Sequence, residues 1–209
     1  SYMYYNKFYK FFNHKVIVFM QKFNNAVKLG AFISFLMRSF HFEGTSLAGK
    51  FVQKYYPDFL EASNKFITSP KYAVTGTNGK STTSGVLSDI LQNYLETEPI
   101  NNKLGANMPN GIVTAIARGL YAKKNKGAVL ECDEAYFVQI SKKFKFDYLL
   151  ITNLFRDQLD RYGEMDIARK KIIEGINENP DLKLILNSDD PSLAEIIKEF
   201  QGKREIFYY

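Results

Sequence analysis

From Lys71 onward, short apolar runs alternate with amphipathic segments, a pattern typical of strands that alternate with helices. Strands are predicted at residues 71–75, 127–132, 146–153, 182–187 and 204–209. Helices are predicted between them, at residues 79–95, 109–122, 163–178 and 189–200. Strands that are separated by helices of this length are joined by crossover connections. The pattern therefore predicts an α/β fold, with a mostly parallel sheet that is flanked by helices.

The first part of the chain has a different pattern. Residues 7–38 have helical spacing and predict one or two helices with a break at Gly30. Residues 40–50 predict a loop that leads into a helix ending near Tyr56. We therefore predict an N-terminal helical arm, residues 1–42, and a central α/β domain, residues 43–209.

The arm is basic and aromatic. It contains six Lys and Arg residues and no Asp or Glu, so its charge equals the net charge of +6 of the whole chain. Two interpretations remain open: its apolar stripe packs on the central domain, which we favour, or the arm lies on an anionic membrane surface. Nucleic acid is not an expected partner, because the basic residues are spread along the segment without a nucleic-acid-binding motif.

The composition of the chain indicates in which part of the cell the protein is expected. The longest uncharged apolar run near the start, residues 29–37, is much shorter than a bilayer span, and no signal-peptide cleavage site follows it. The single cysteine, Cys132, allows neither a disulfide within the chain nor a four-cysteine zinc site. We therefore predict a cytoplasmic protein. If the arm binds a membrane surface, the protein would lie at the inner face of the membrane.

The clearest chemical signal is the segment AVTGTNGKSTT, residues 73–83, which passes from a strand through a glycine-rich turn into a helix. Gly76 and Gly79 let the backbone approach a polyphosphate, and the start of the next helix favours anions. Lys80 can reach the β- and γ-phosphates, and Ser81 can offer its hydroxyl to Mg²⁺. The spacing is shorter than that of the Walker motif. The segment therefore predicts a shorter phosphate loop, with a ligand-free glycine turn as the alternative.

Carboxylates follow the strand that is predicted at residues 127–132. Glu131 lies at its end, and Asp133 and Glu134 come directly afterwards. Mg²⁺ commonly binds one or two carboxylates together with phosphate oxygens, so Glu131 is a candidate metal ligand opposite Ser81.

A second polar cluster follows the strand at residues 146–153. Asn153 is followed by five charged or amide side chains between residues 156 and 161. An apolar strand that changes so abruptly into polar residues favours a functional site over an ordinary capped loop. Asn107, in a glycine-flanked turn, is a further candidate.

Together these motifs resemble the Mur ligase family, whose phosphate loop has the short form T-G-T-[NK]-G-K-[ST], found here at residues 75–81. The segments LGANMPNGI, ECDEA and TNLFRDQLDRYGEMD resemble the MurT branch of that family. Most Mur ligases that attach amino acids have Asp-His where this chain has Asp157-Gln158. The resemblance extends over about residues 44–209.

The resemblance implies an ATP-dependent ligase of peptidoglycan synthesis. Such a ligase activates the α-carboxyl of D-glutamate in lipid II as an acyl phosphate, and a GatD-like glutaminase subunit supplies the ammonia. The implied triphosphate-binding residues are Gly76, Thr77, Asn78, Gly79, Lys80, Ser81 and Thr82. Ser81 and Glu131 would bind Mg²⁺, Lys80 and Glu131 would be catalytic, and Asn107 and Asn153 would lie near the nucleotide.

Further features of the family bear on this chain. Gln158 replaces a histidine that binds a second metal ion in other members, which disfavours such a site here. Lys170 and Lys171 are interpreted as surface lysines rather than as a carbamylated residue. MurT-like proteins continue with a zinc ribbon and a C-terminal domain that carries the partner interface, so we expect this chain to represent the parts before them.

Two alternative functions remain open. One is another Mur-like ligase that adds an amino acid to a growing peptide, which Gln158 disfavours. The other is a nucleotide-binding regulatory or assembly protein that has kept the loop without turnover.

Overall fold

The computed structural model describes residues 2–40, 45–103, 106–154 and 164–209, and within these ranges the chain forms eight helices and six strands. The helices are α1 (Tyr2–Ser39), α2 (Thr45–Tyr55), α3 (Phe59–Ser63), α4 (Lys80–Leu95), α5 (Pro109–Tyr121), α6 (Phe137–Ser141), α7 (Glu164–Asn177) and α8 (Pro191–Glu199). The strands are β1 (Thr68–Thr75), β2 (Ile100–Asn101), β3 (Lys126–Glu131), β4 (Tyr148–Ile151), β5 (Lys183–Leu186) and β6 (Ile206–Tyr208). The predicted α/β fold is confirmed.

The six strands form one sheet in the order β2-β3-β1-β4-β5-β6, and every neighbouring pair is parallel. Strand β1 lies inside the sheet, with β3 on one side and β4 on the other. In an open parallel sheet, ligands bind beyond the carboxyl ends of the strands where the order of strands reverses. The carboxyl ends of β1, β3 and β4 are therefore the expected place for a site.

Both faces of the sheet are covered, because neighbouring side chains of a strand point to opposite faces. Ala73 of β1 and Leu149 of β4 contribute to the larger core, which also contains buried residues from α1, α3 and α5. Val74 and Leu150 point the other way, against Leu91 of α4. Helix α4, which begins at the phosphate loop, is thus fixed on one face of the sheet by its own apolar contacts.

The C-terminal half of α1 packs on the domain. Phe23 is 2% exposed, and its ring lies 4.3 Å from the ring of Phe66 and 5.2 Å from that of Phe59, measured between centroids. Helix α1 also contacts α2 and α5. The boundary that we place at residue 42 lies outside the described residues, so the division into an arm and a domain stays a prediction.

The expected helix break at Gly30 is wrong, since α1 continues through this residue. A Cβ atom at position 30 would lie 2.6 Å from the Cβ of Ala117 and 2.9 Å from Cγ2 of Val52. Glycine is present because α1 approaches α5 and α2 closely, and not because the helix ends. Among the described residues, none of the helices is both long enough and apolar enough to cross a membrane.

Candidate nucleotide-binding site

The phosphate loop, residues 76–79, connects the carboxyl end of β1 to the first residue of α4. Gly79 has φ +81° and precedes Lys80, the first residue of the helix. Gly76 has φ +125°, and a Cβ at this position would lie 2.3 Å from Thr152 Oγ1. Both glycines are required by the backbone, since other residues rarely adopt these angles. The helix amino terminus, which favours anions, therefore faces the edge of the sheet.

The residues directly after β4 hold the loop in place. The Asn78 N–H donates to Asn153 Oδ1 at 3.0 Å, and Asn153 Nδ2 donates to the Asn78 carbonyl at 3.0 Å. The Thr152 hydroxyl donates to the same carbonyl at 2.7 Å, and the Thr77 N–H donates to the Asn153 carbonyl at 2.8 Å. The structure thus brings Asn153 to the predicted site, where it positions the loop backbone.

Glu131 lies at the other side of the loop, at the end of β3. Its Oε2 accepts a hydrogen bond of 2.8 Å from the Ser81 hydroxyl, and Asn107 Nδ2 lies 3.4 Å from its Oε1. The two predicted metal ligands, Ser81 and Glu131, are therefore adjacent. Thr82 lies in the exposed first turn of α4.

Asn102 also belongs to this site, although the sequence analysis did not single it out. Its Oδ1 accepts from the Glu131 N–H at 2.8 Å, and its Nδ2 donates to the Glu131 carbonyl at 2.8 Å and to the Ala106 carbonyl at 2.9 Å. Asn102 thus fixes the end of β3 and the turn before Asn107. Asn102 directly follows β2, and a polar residue at the end of a strand is a candidate site residue. The sequence did not reveal this, because β2 has two residues and no recognisable periodicity.

Lys80 is held by an acidic residue and by the loop itself. Its Nζ lies 3.3 Å from Glu134 Oε2, and it also donates to the carbonyls of Gly76 and Thr77. Burial raises the pKa of Glu134 above its ordinary value, and the neighbouring Asp133 adds to this, while Lys80 opposes it. Glu134 is therefore the acidic partner of Lys80 at the loop.

The donor set fits a hard divalent cation. Ser81 and Glu131 offer oxygen atoms, which Mg²⁺ prefers, and a Mg²⁺ ion in proteins usually keeps water and phosphate oxygens as its other ligands. Within the described ranges, His, Cys, Asp and Glu side chains form no group of three that could hold a metal ion. The arrangement suits a metal that arrives with a nucleotide better than a closed structural metal site.

One part of the predicted site, the segment 155–163 with Gln158 and the charged residues after Asn153, lies outside the described residues. Lys170 is exposed, and Lys171 lies 3.9 Å from Glu174 on the surface of α7. Cys132 is buried as a free thiol.

Fold and site together define a parallel α/β domain with a phosphate loop, a basic residue and an acidic metal-ligand candidate at one sheet edge. A family model described as the Mur ligase middle domain matches residues 74–209. The chain belongs to the Mur ligase family.

Among its relatives is the lipid II isoglutaminyl synthase (glutamine-hydrolyzing) subunit MurT of Staphylococcus aureus (strain COL), which is 37% identical over 154 residues. That match covers 73% of this chain and 34% of the relative. The protein of the same description from Streptococcus pneumoniae is 35% identical over 161 residues, or 74% of this chain and 35% of the relative. The chain spans about a third of the length of these relatives.

Solved structures of Mur ligases have the same fold. MurF from Acinetobacter baumannii superimposes with a TM-score of 0.60 at 21% identity, covering 78% of this chain and 34% of that one. MurF from Thermotoga maritima, solved in complex with ADP, has a TM-score of 0.53 at 19% identity, covering 77% and 36%. The resemblance to the Mur family that the motifs indicated is confirmed.

Proposed function

We propose that this chain is the ATP-binding part of a ligase that forms a C–N bond in peptidoglycan synthesis. The observation that carries the proposal is the joint placement of Lys80, Ser81 and Glu131 at the phosphate loop, with Ser81 Oγ 2.8 Å from Glu131. The ADP complex of the T. maritima relative supports ATP as the nucleotide.

The loop residues have distinct tasks. Residues 76–82 bind the triphosphate, and the backbone N–H groups at the start of α4 donate to it, since those of Thr77 and Asn78 already donate to Asn153. The positive charge of Lys80 stabilises the negative charge that develops on the transferred γ-phosphoryl group. Lys80 must leave Glu134 for this, so the incoming phosphate replaces the carboxylate at its ammonium group. Ser81 and Glu131 would hold Mg²⁺, and the bound ion would neutralise part of the negative charge of the phosphates. Asn107 keeps Glu131 oriented, and Asn153 keeps the loop closed.

The proposed substrate is the α-carboxyl of D-glutamate in lipid II, as the MurT relatives suggest. A carboxylate oxygen attacks the γ-phosphorus and ADP leaves, which gives an acyl phosphate. Ammonia then attacks the acyl carbon, and inorganic phosphate leaves with formation of the amide. A GatD-like glutaminase subunit is the proposed source of ammonia, and the MurT relatives are themselves described as subunits.

We also propose a cytoplasmic location with contact to the inner face of the membrane through α1. Phe32 and Phe35 of α1 are 60% and 65% exposed, and Phe40, directly after the helix, is 70% exposed. Lys28 and Arg38 lie on α1 as well. Exposed aromatic side chains next to basic ones are typical of helices that bind anionic membrane surfaces.

The reaction is tested with a hybrid protein. Residues 45–209 replace the matching segment of S. aureus MurT, and the hybrid is supplied with its glutaminase, glutamine, ATP, Mg²⁺ and lipid II. We expect mass spectrometry to detect conversion of a lipid II carboxylate to an amide, and the Lys80→Ala hybrid to give none.

A hybrid that is folded and hydrolyses ATP with lipid II, but leaves the carboxylate unchanged, would contradict the proposed substrate. Product of equal amount from the Lys80→Ala hybrid would contradict the role of the loop. The Lys198→Ala hybrid serves as the control, because Lys198 is an exposed residue of α8.

A further inference from the structure

A cleft of about 740 Å³ lies between α1, α5 and the edge strand β2. Phe35 and Arg38 of α1 line one wall, and residues of α5 line another. The lining of the cleft includes Asn102, whose side chain bonds to the backbone of Glu131 in the nucleotide site. Asn102 therefore connects the cleft to the nucleotide site.

Two arginines give the cleft a positive charge. Arg38 and Arg118 both line it, and Arg118 is half-buried. Burial lowers the pKa of Arg118 from its ordinary value, and the positive charge of Arg38 lowers this pKa further. Arg38 and Arg118 thus line one cleft, and the positive charge of Arg38 acts on Arg118 there. Among the described residues, neither forms an ion pair with a carboxylate.

The other charges of the cleft are balanced. Lys124 forms an ion pair with Glu98, and Lys103 lies 2.8 Å from Asp89. Glu98 is the acidic residue whose charge acts on Arg118, and its carboxylate is already bound by Lys124. The uncompensated charge of the cleft comes from the arginine pair.

An arginine stays protonated even when burial lowers its pKa, because its ordinary pKa is far above neutral. A half-buried cation without a partner is costly, and a second cation nearby increases that cost. An anion bound between the two guanidinium groups removes both penalties, and phosphate groups match the geometry of guanidinium donors. We propose that the cleft binds the phosphate or pyrophosphate group of an amphiphilic ligand, held by Arg38 and Arg118.

The apolar side of the ligand follows from the surroundings of Arg38. Phe35 lines the cleft one turn before Arg38 and is 65% exposed, and Phe32 on the same helix and Phe40 directly after its end are also exposed. A phosphate that is bound at Arg38 therefore lies next to a surface that favours a hydrocarbon chain. A lipid-linked pyrophosphate has both parts, whereas a free phosphate has only one.

The position of the cleft fits a substrate that also reaches the nucleotide. Helix α5 begins at Pro109, close to Asn107, and Arg118 lies about 14 Å further along its axis at the usual rise per residue. A lipid-linked substrate can thus place its pyrophosphate at the arginines and extend a carboxylate toward Lys80. In this respect the inference rests on the proposed function, because it assigns the lipid-phosphate end of the proposed substrate.

The test uses farnesyl pyrophosphate as the probe, in a Lys80→Ala background so that the phosphate loop does not contribute. We expect calorimetry to detect binding that weakens about tenfold with Arg38→Gln and about a hundredfold with Arg38→Gln/Arg118→Gln, since tenfold corresponds to about 1.4 kcal/mol, close to the lower end for a charge-assisted contact. Lys198→Gln, which removes an exposed charge of α8, should leave binding unchanged. Inorganic pyrophosphate should bind more weakly than the farnesyl compound, because it lacks the apolar part.

Vesicles of phosphatidylglycerol provide a second arm. Arginine-dependent binding of vesicles without binding of farnesyl pyrophosphate would support a phospholipid headgroup as the source of the phosphate. Binding of both probes that is unchanged in the double variant, or no binding of either, would overturn the proposal.

The arginine variants in the Lys80 wild-type background should bind ATP normally, which separates this result from a failure of the proposed function. Arg38 is exposed, so the Arg38→Gln protein should have the same melting temperature as the parent protein. If Arg118→Gln unfolds the chain, the binding measured with Arg38→Gln alone decides whether the proposal holds.

Discussion

Replacing Gly76 by alanine should destabilise the protein and distort the phosphate loop. The new Cβ would lie 2.3 Å from Thr152 Oγ1 and 2.8 Å from the Asn153 carbonyl oxygen, which are the residues that hold the loop. The position also has φ +125°, which side chains other than that of glycine rarely adopt. Overpacking and backbone strain each cost about 1–3 kcal/mol. We therefore expect the free energy of unfolding to fall by about 3 kcal/mol.

Two other glycines of the same region separate these effects. Gly79 has φ +81° but no atom within 4 Å of a built Cβ, so Gly79→Ala should cost only the strain, about 1–2 kcal/mol. Gly85, inside α4, is also free of neighbours and has no positive φ, so Gly85→Ala should stabilise by about 0.5–1 kcal/mol. Urea unfolding followed by circular dichroism measures all three. A Gly76→Ala protein as stable as Gly79→Ala would refute the close approach of the loop to β4.

Three further predictions concern the carboxylates and Asn102. Burial raises the pKa of Glu134, so ionisation of this carboxyl group destabilises the fold as pH rises above its ordinary pKa of 4.5. Glu134→Gln should remove this pH dependence of stability in urea unfolding. The same variant frees Lys80 and should bind ATP roughly fivefold more tightly, about 1 kcal/mol. Weaker ATP binding by this variant would show that Glu134 assists the nucleotide. Glu131→Gln should reduce the Mg²⁺ dependence of ATP binding in calorimetry, whereas Asp133→Asn should change it less, and equal effects would contradict the choice of metal ligand. Asn102→Ala removes three hydrogen bonds at the end of β3 and should cost about 2–3 kcal/mol in urea unfolding, while a loss below 0.5 kcal/mol, roughly the effect of a surface substitution, would contradict its structural role.

The sequence predicted the parts of this site that follow from local pattern. The loop with Gly76 and Lys80 has a characteristic spacing at a strand-to-helix junction, and Glu131 ends an apolar run, so both could be assigned before the fold was known. Parallel strands bring their carboxyl ends to one edge, which explains why Ser81 and Glu131, far apart in sequence, lie within hydrogen-bond distance.

The parts that the sequence did not predict depend on contacts between distant segments. Gly30 was interpreted as a helix break, but its role comes from Ala117 and Val52, which no local pattern connects to it. Strand β2 has two residues, too few for a period of two to be recognised. The arginine pair of the cleft joins α1 to α5 across eighty residues of sequence, and each arginine alone has the pattern of an ordinary helix surface residue.

The central claim is that the loop binds a nucleotide through Lys80. Calorimetric titration of the chain with a non-hydrolysable ATP analogue and Mg²⁺ measures this directly, with Lys198→Ala as the control for loss of one exposed positive charge. We expect the wild type and Lys198→Ala to bind equally and Lys80→Ala to bind at least about tenfold more weakly, since a charge-assisted contact contributes more than about 1.4 kcal/mol. Equal binding by the folded Lys80→Ala protein would contradict the assignment of the nucleotide site.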